Sequence, residues 1–225
     1  MKVTKLHIPQ IIFHDDFPTD QYIPVETKKT QVCLHHTVSG SGAEGDINWW
    51  RQTKDRIATA FIIDREGKIH QCFRAAFWGY HIGPLSKIPF GAFGLEPKRL
   101  DPEVIGIELD SWGGLIKNDA GDWVSVTGEV VDDVQEYPDG YRTFNGFEKY
   151  TAAQLDTLAS LLVYLHETYH IPLCYNTDMW DVNKTALSGT SGVFTHTSYR
   201  PDKSDCHPQP ELIELLENIE NYEYA

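Results

Sequence analysis

Three groups of residues in this chain have the types and spacings that chemistry needs. The first is the adjacent pair His35 and His36. The second is His196, followed by a loop from Arg200 to Pro208 that contains Lys203, Asp205 and Cys206. The third is His166-Glu167-Thr168-Tyr169-His170, a literal HExxH. A catalytic zinc ion takes three protein ligands from His, Asp, Glu or Cys and keeps one position open. His35 and His196, both expected on strands, meet that need together with a carboxylate or thiolate from the 200–208 loop. Such an ion lowers the pKa of water towards ~7 and polarises a carbonyl. Glu108 is a candidate general base, because strand alternation turns it away from the apolar Ile105, Ile107 and Leu109. Lys203 is a candidate cation for a developing oxyanion. Histidines at strand ends that only form hydrogen bonds are the plainer reading of the same residues. An HExxH helix would offer two zinc-binding histidines and a Glu base on one face. Here it falls on the last turn of its helix with Pro172 just behind, and reads first as a helix end.

The elements that must position these groups follow from periodicity. Gln31 to Thr37 alternates as a strand, with Cys33, His35 and Thr37 on one face. Asp46 is placed to cap a helix bearing Ile47, Trp50 and Ile57. Ala60 to Arg74 reads as a hairpin around the Asp64–Gly67 turn. Val104 to Asp110 is a further strand. Thr151 to His170 is the clearest helix, with Leu155, Leu158, Leu162 and Leu165 on one stripe. Gly192 to Ser198 is a short strand, and a closing helix runs from Glu211 to about Asn221. The first thirty residues read as irregular. Residues 111–150 are acidic and turn-rich and read as an exposed excursion, or a hairpin beside the sheet. Strands and helices alternate, so the expected class is α/β, one domain over 1–225 with a mixed central sheet flanked by helices.

Composition narrows the partners. Lys and Arg total 19 against 33 Asp and Glu, a net charge of −14, so no cationic footprint exists for nucleic acid or an anionic membrane. No apolar run reaches membrane-span length, and Met1–Gln10 lacks the apolar run of a signal peptide. A cytoplasmic protein is therefore expected. The four cysteines lack CxxC spacing, which argues against disulfides or a four-cysteine zinc site.

Five segments, in order, resemble the superfamily of N-acetylmuramoyl-L-alanine amidases and peptidoglycan recognition proteins. Cys33-Leu34-His35-His36-Thr37 resembles its "IxxHHT" strand, and Ala60 to Ile69 its "HfxIdrdGxI" hairpin. Trp78 to Gly83 resembles "awHaG", and Ile105 to Leu109 resembles "sIGIEl". His196 with Lys203-Ser204-Asp205 resembles "gHxdi…KxDPG". The resemblance spans about Gln31 to Asn221, interrupted by the 111–150 excursion. It implies a zinc hydrolase that cuts the amide between N-acetylmuramic acid and L-alanine of peptidoglycan. It implies Zn2+ on His35, His196 and a third ligand, either Asp205 or Cys206. The two-residue gap from Lys203 favours Asp205. Glu108 and Lys203 take the catalytic roles, since Thr59 replaces the Tyr base of some members. His81 and Trp78 fall in the segment that lines the substrate groove. The expected protein is an endolysin-like monomer acting on peptidoglycan or muropeptides, after release from the cell or during recycling. A non-catalytic peptidoglycan-binding module and an HExxH metallopeptidase are the rival classes.

Overall fold

The computed structural model describes residues 4–6 and 10–224, so most of the Met1–Gln10 opening lies outside it. The elements in chain order are β1 (Thr4–Leu6), β2 (Ile11–Phe13), β3 (Gln31–His36), α1 (Gly42–Trp50), β4 (Phe61–Ile63), β5 (Ile69–Gln71) and β6 (Val104–Leu109). They continue with β7 (Gly114–Lys117), β8 (Trp123–Val124), β9 (Val134–Tyr141), β10 (Phe144–Glu148), α2 (Ala152–Tyr169), α3 (Lys184–Ser188), β11 (Gly192–Thr195), α4 (Pro210–Asn218) and β12 (Tyr222–Tyr224). A six-stranded sheet in the order β11-β3-β6-β4-β5-β2 forms the centre. Every pair in it is parallel except β4–β5, the expected hairpin. The sheet is mixed and the class α/β, as the alternation of elements implies.

β3 and β6 are buried on both faces, which suits strands covered on two sides. α2 supplies one cover. Its Leu158, Leu161, Leu162 and Leu165 are fully buried. It starts in a capping box, with Thr151 accepting from the Gln154 amide and Gln154 accepting from that of Thr151. Gln154 then donates to the carbonyls of Ile63 (3.1 Å) and Asp110 (2.9 Å), tying the helix start to the ends of two central strands. The helix stops at His170, whose left-handed φ of 58° ends the repeat.

Three expectations need correction. The opening residues are not wholly irregular: β2 extends the central sheet by pairing with β5, and β1 pairs with β12. Asp46 does not cap α1. The helix begins after Ser41, and Asp46 sits inside it, while Ile57 lies beyond its end. Residues 111–150 form more than a hairpin. They build a second, antiparallel sheet in the order β8-β7-β10-β9 with its own buried Leu115, Val124 and Phe147.

Candidate active site

His35 is the fifth residue of β3 and pairs in register with Glu108 of β6. Register partners on neighbouring strands project to the same face of a sheet, so His35 and Glu108 stand side by side. β11 lies on the other side of β3 and ends at Thr195. His196 is therefore the first residue of a short 3-10 turn rather than a strand residue, and the turn swings its ring back over β3. The chain then returns, with the Thr197 amide donating to the Asp205 carbonyl (3.1 Å), which brings Asp205 to the same place.

Three donor atoms converge there. His35 Nδ1 lies 3.0 Å from His196 Nδ1 and 2.9 Å from Asp205 Oδ2, and His196 Nδ1 is 2.9 Å from the same oxygen. The tautomer can be deduced at His196. Its Nε2 faces the Ile82 carbonyl at 3.2 Å, and a carbonyl only accepts, so the proton is on Nε2 and Nδ1 carries the lone pair. His35 does the same if its Nε2–H donates to His81 Nδ1 at 2.9 Å. Burial first, then the nearby His196, lowers the His35 pKa to about 4, so the ring is neutral near pH 7. Burial alone would raise Asp205, but His196 and His35 outweigh it and hold the carboxyl well below the usual range. A proton on His35 Nδ1 can bridge to Asp205 in the metal-free chain, and without that proton the three donors offer their lone pairs to a cation between them. Zinc with nitrogen and oxygen ligands at about 2.0–2.2 Å places neighbouring donors about 3.3 Å apart, so the residues fit that ion.

Cys206 points elsewhere. Its thiol donates to the His35 carbonyl at 3.1 Å and is fully buried, leaving Asp205 as the side chain of the pair that faces the two histidines. His36, one residue on from His35, faces the opposite side of the sheet, 3.0 Å from the Tyr150 hydroxyl. His81 lines the cleft that holds His35. It is buried behind His35, fixing that ring as second-rank residues do in metal sites. Gly106 makes this possible, since a Cβ there would come within 3.0 Å of His81 Nδ1.

The three donors open into a cleft of about 320 Å³, lined also by Glu108, Lys203, Arg200, Asp46, Trp49, Trp50 and Tyr80. Glu108 is buried and its Oε2 has no partner. Burial, then the charges of Asp205 and Asp46, pushes its pKa well above the ordinary carboxylate value. Trp78 is not among the lining residues. It meets Tyr80 edge-on with ring centroids 5.2 Å apart, and Tyr80 is the one that reaches the cleft. A larger groove of about 580 Å³ beside α2 and α4 contains none of these groups.

Two other histidine groups lie outside the cleft. At the HExxH, His166 Nδ1 donates to the Ile171 carbonyl at 2.8 Å, Glu167 is exposed and His170 is the helix cap. His14, His70 and Glu44 also lie together. Their imidazoles meet with Nε2 and Nδ1 3.1 Å apart, centroids at 5.4 Å and planes only 21° apart. Glu44 Oε1 lies 3.6 Å from His70 Nδ1 and 4.0 Å from His14 Nε2 on an exposed side chain, so this group is looser than the one formed by His35, His196 and Asp205. Sequence reasoning missed Asp46, Trp49, Trp50, Tyr80 and Arg200, whose types signal caps, core and surface as readily as a cleft.

Solved structures with this fold include the catalytic domain of XlyA (TM-score 0.53, 14% identity, covering 93% of this chain and 97% of that one). A mutant endolysin from Bacillus subtilis is similar (0.52, 14%, 93% and 97%). So is the endolysin N-acetylmuramoyl-L-alanine amidase LysCS from Clostridium intestinale URNW (0.51, 15%, 96% and 99%). At such identities these likenesses speak for the fold alone. No curated protein matches the chain by sequence. The family model for N-acetylmuramoyl-L-alanine amidases does match, over residues 26–209, a span that holds every residue of the cleft, and the chain belongs to that family of amidases.

Proposed function

We propose that this chain is a zinc-dependent peptidoglycan amidase that hydrolyses the bond between N-acetylmuramic acid and the L-alanine of the stem peptide. One observation carries the reading. Three lone-pair donors, His35, His196 and Asp205, meet at the floor of a cleft whose wall holds a buried, unpartnered carboxylate, Glu108. When bound there, zinc supplies Lewis-acid polarisation of the scissile carbonyl and acidifies water. The protein's own residues do the rest. Glu108 accepts a proton from the attacking water and returns it to the alanine nitrogen as the C–N bond breaks. Lys203, on the cleft wall, donates to the oxyanion that forms on the lactyl carbonyl. His81 keeps His35 oriented.

Two of the similar structures are named as endolysins, and we extend that role to this chain as a lysin that meets the wall after release. No helix among the described residues is long and apolar enough to cross a membrane. Mass spectrometry of a defined muropeptide digest tests the reaction. The expected products are the peptide with a free L-alanine amino group and the sugar with a free lactyl carboxyl. Turnover should vanish with a chelator and return with Zn2+. Cleavage at another bond, or undiminished turnover after complete metal removal, would overturn it.

A further inference from the structure

A second cluster of metal-type donors stands outside the cleft, where the edge strand β2, strand β5 and helix α1 meet. His14 follows the last residue of β2, and its amide donates to the Gln71 carbonyl of β5 at 2.9 Å. His70 lies on β5, and Glu44 in the first turn of α1. His70 shares a cross-strand row with Glu108, with Ile62 of β4 between them. Two strand spacings put it about 10 Å along the sheet from that carboxylate. None of the three residues lines the cleft.

The tautomer of His70 is fixed. Its Nε2 faces Asp64 Oδ2 at 3.4 Å, and a carboxylate only accepts, so Nδ1 carries the lone pair. Asp64 is itself held, taking the Lys68 amide on Oδ1 at 2.8 Å. A carboxylate behind an imidazole is the arrangement that orients histidine ligands in metal sites. His14 Nε2 stands 3.1 Å from that lone pair, close to the ~3.3 Å between two nitrogens on one zinc ion. Glu44 Oε1 completes a triangle at 3.6 and 4.0 Å, on an exposed side chain that can rotate onto an ion. In the metal-free chain a proton on His14 Nε2 bridges the rings. A metal ion takes its place, and the proton goes to His14 Nδ1. Burial holds the His14 pKa below its ordinary value, so the ring is uncharged near pH 7 and able to bind. Two imidazoles with one carboxylate suit a transition metal of the zinc class better than magnesium or calcium. We propose that His14, His70 and Glu44 form a second Zn2+ site, which staples β2 and the start of α1 to β5. β2 is three residues long and leaves Ile12 38% and Phe13 51% exposed, so little apolar burial holds it.

Counting bound zinc tests this without reference to activity. The full chain is equilibrated with excess Zn2+, freed of unbound ion by gel filtration and assayed by atomic absorption. His14→Ala should hold one equivalent fewer than the unaltered chain. Glu44→Gln, a change on an exposed side chain, should yield the same equivalent to a competing chelator about tenfold more readily. Hydrogen exchange gives a second readout. Zinc should slow the amides of β2 and His14 in the unaltered chain and leave them unchanged in His14→Ala. Equal zinc content in the unaltered and His14→Ala chains would overturn the site, as would unchanged chelator competition in Glu44→Gln. Unchanged exchange in β2 on zinc loading would overturn the staple. Failure of the amidase reading appears separately, because a missing cleft ion lowers both zinc counts equally and leaves their difference intact.

Discussion

Glu108 is the residue on which the proposed chemistry turns, and its surroundings fix its pH behaviour. Burial, then Asp205, then Asp46 disfavour its ionised form. A base works deprotonated, so turnover should fall as pH falls through the Glu108 pKa, which a bound zinc ion would draw down from its raised metal-free position. Asp46→Asn removes one of the charges holding the pKa up, and the acidic limb of the kcat–pH profile should move to lower pH. A limb that stays put would show that the two carboxylates are not coupled. Glu108→Gln keeps the shape and removes the base, so kcat should drop on the order of 10²–10⁴ while zinc content by atomic absorption is unchanged. Lys203→Ala should cost on the order of 10²–10³ in kcat. His35, His196 and the candidate catalytic groups Glu108 and Lys203 stood out in the sequence because few residue types perform those tasks, whereas Asp205 was preferred to Cys206 only through the family resemblance. Asp46 and Trp49 did not stand out. An Asp ahead of apolar helical residues is also a typical helix cap, and a Trp at helical spacing is also a typical core residue. Only the start of α1 at Gly42 turns both towards the cleft.

The second sheet shows how an element far from the chemistry can hold a ligand in place. Tyr137 of β9 donates to His207 Nδ1 at 2.9 Å, and His207 Nε2–H donates to the Glu148 carbonyl at 3.2 Å. His207 is fully buried, and burial, with His36 nearby, keeps it neutral. It follows Asp205 by two residues, and Tyr141, from the same strand, has its hydroxyl 3.3 Å from the Cys206 carbonyl. The 111–150 segment therefore clamps the loop that carries Asp205. Tyr137→Phe leaves a buried ring nitrogen without a donor and should cost about 1–3 kcal/mol. Urea unfolding checks this, as a lower midpoint at an unchanged slope. No loss would mean that water or a shifted side chain replaces the phenol. Sequence patterning found β3, β6, α2 and α4 because long buried elements have a clear period. It could not resolve this sheet. No residue of β9 is fully buried, so apolar alternation is faint. β2 is three residues long and is defined only by its partner β5, more than fifty residues away in sequence.

At the scale of the whole molecule, charge works against the local site. One wall of the cleft holds Lys203 and Arg200, the latter paired with Asp202 at 2.7 Å, while the chain carries a net −14 from 33 acidic and 19 basic residues. Long-range steering follows the total charge, and a wall bearing many carboxylates should repel this protein before the cleft is reached. The repulsion reaches about 30 Å at 0.01 M salt and about 10 Å at 0.1 M. Adding salt over that interval should therefore raise the initial rate on intact sacculi, measured by loss of turbidity. A small muropeptide carries few charges and meets mainly the local field of Lys203 and Arg200. Its kcat/KM should stay level or fall slightly over the same interval. The two substrates thus separate approach from chemistry, since salt acting on the catalytic step would change both rates in the same direction. A rate on sacculi that falls with salt would show that the cationic wall, and not the net charge, governs the encounter.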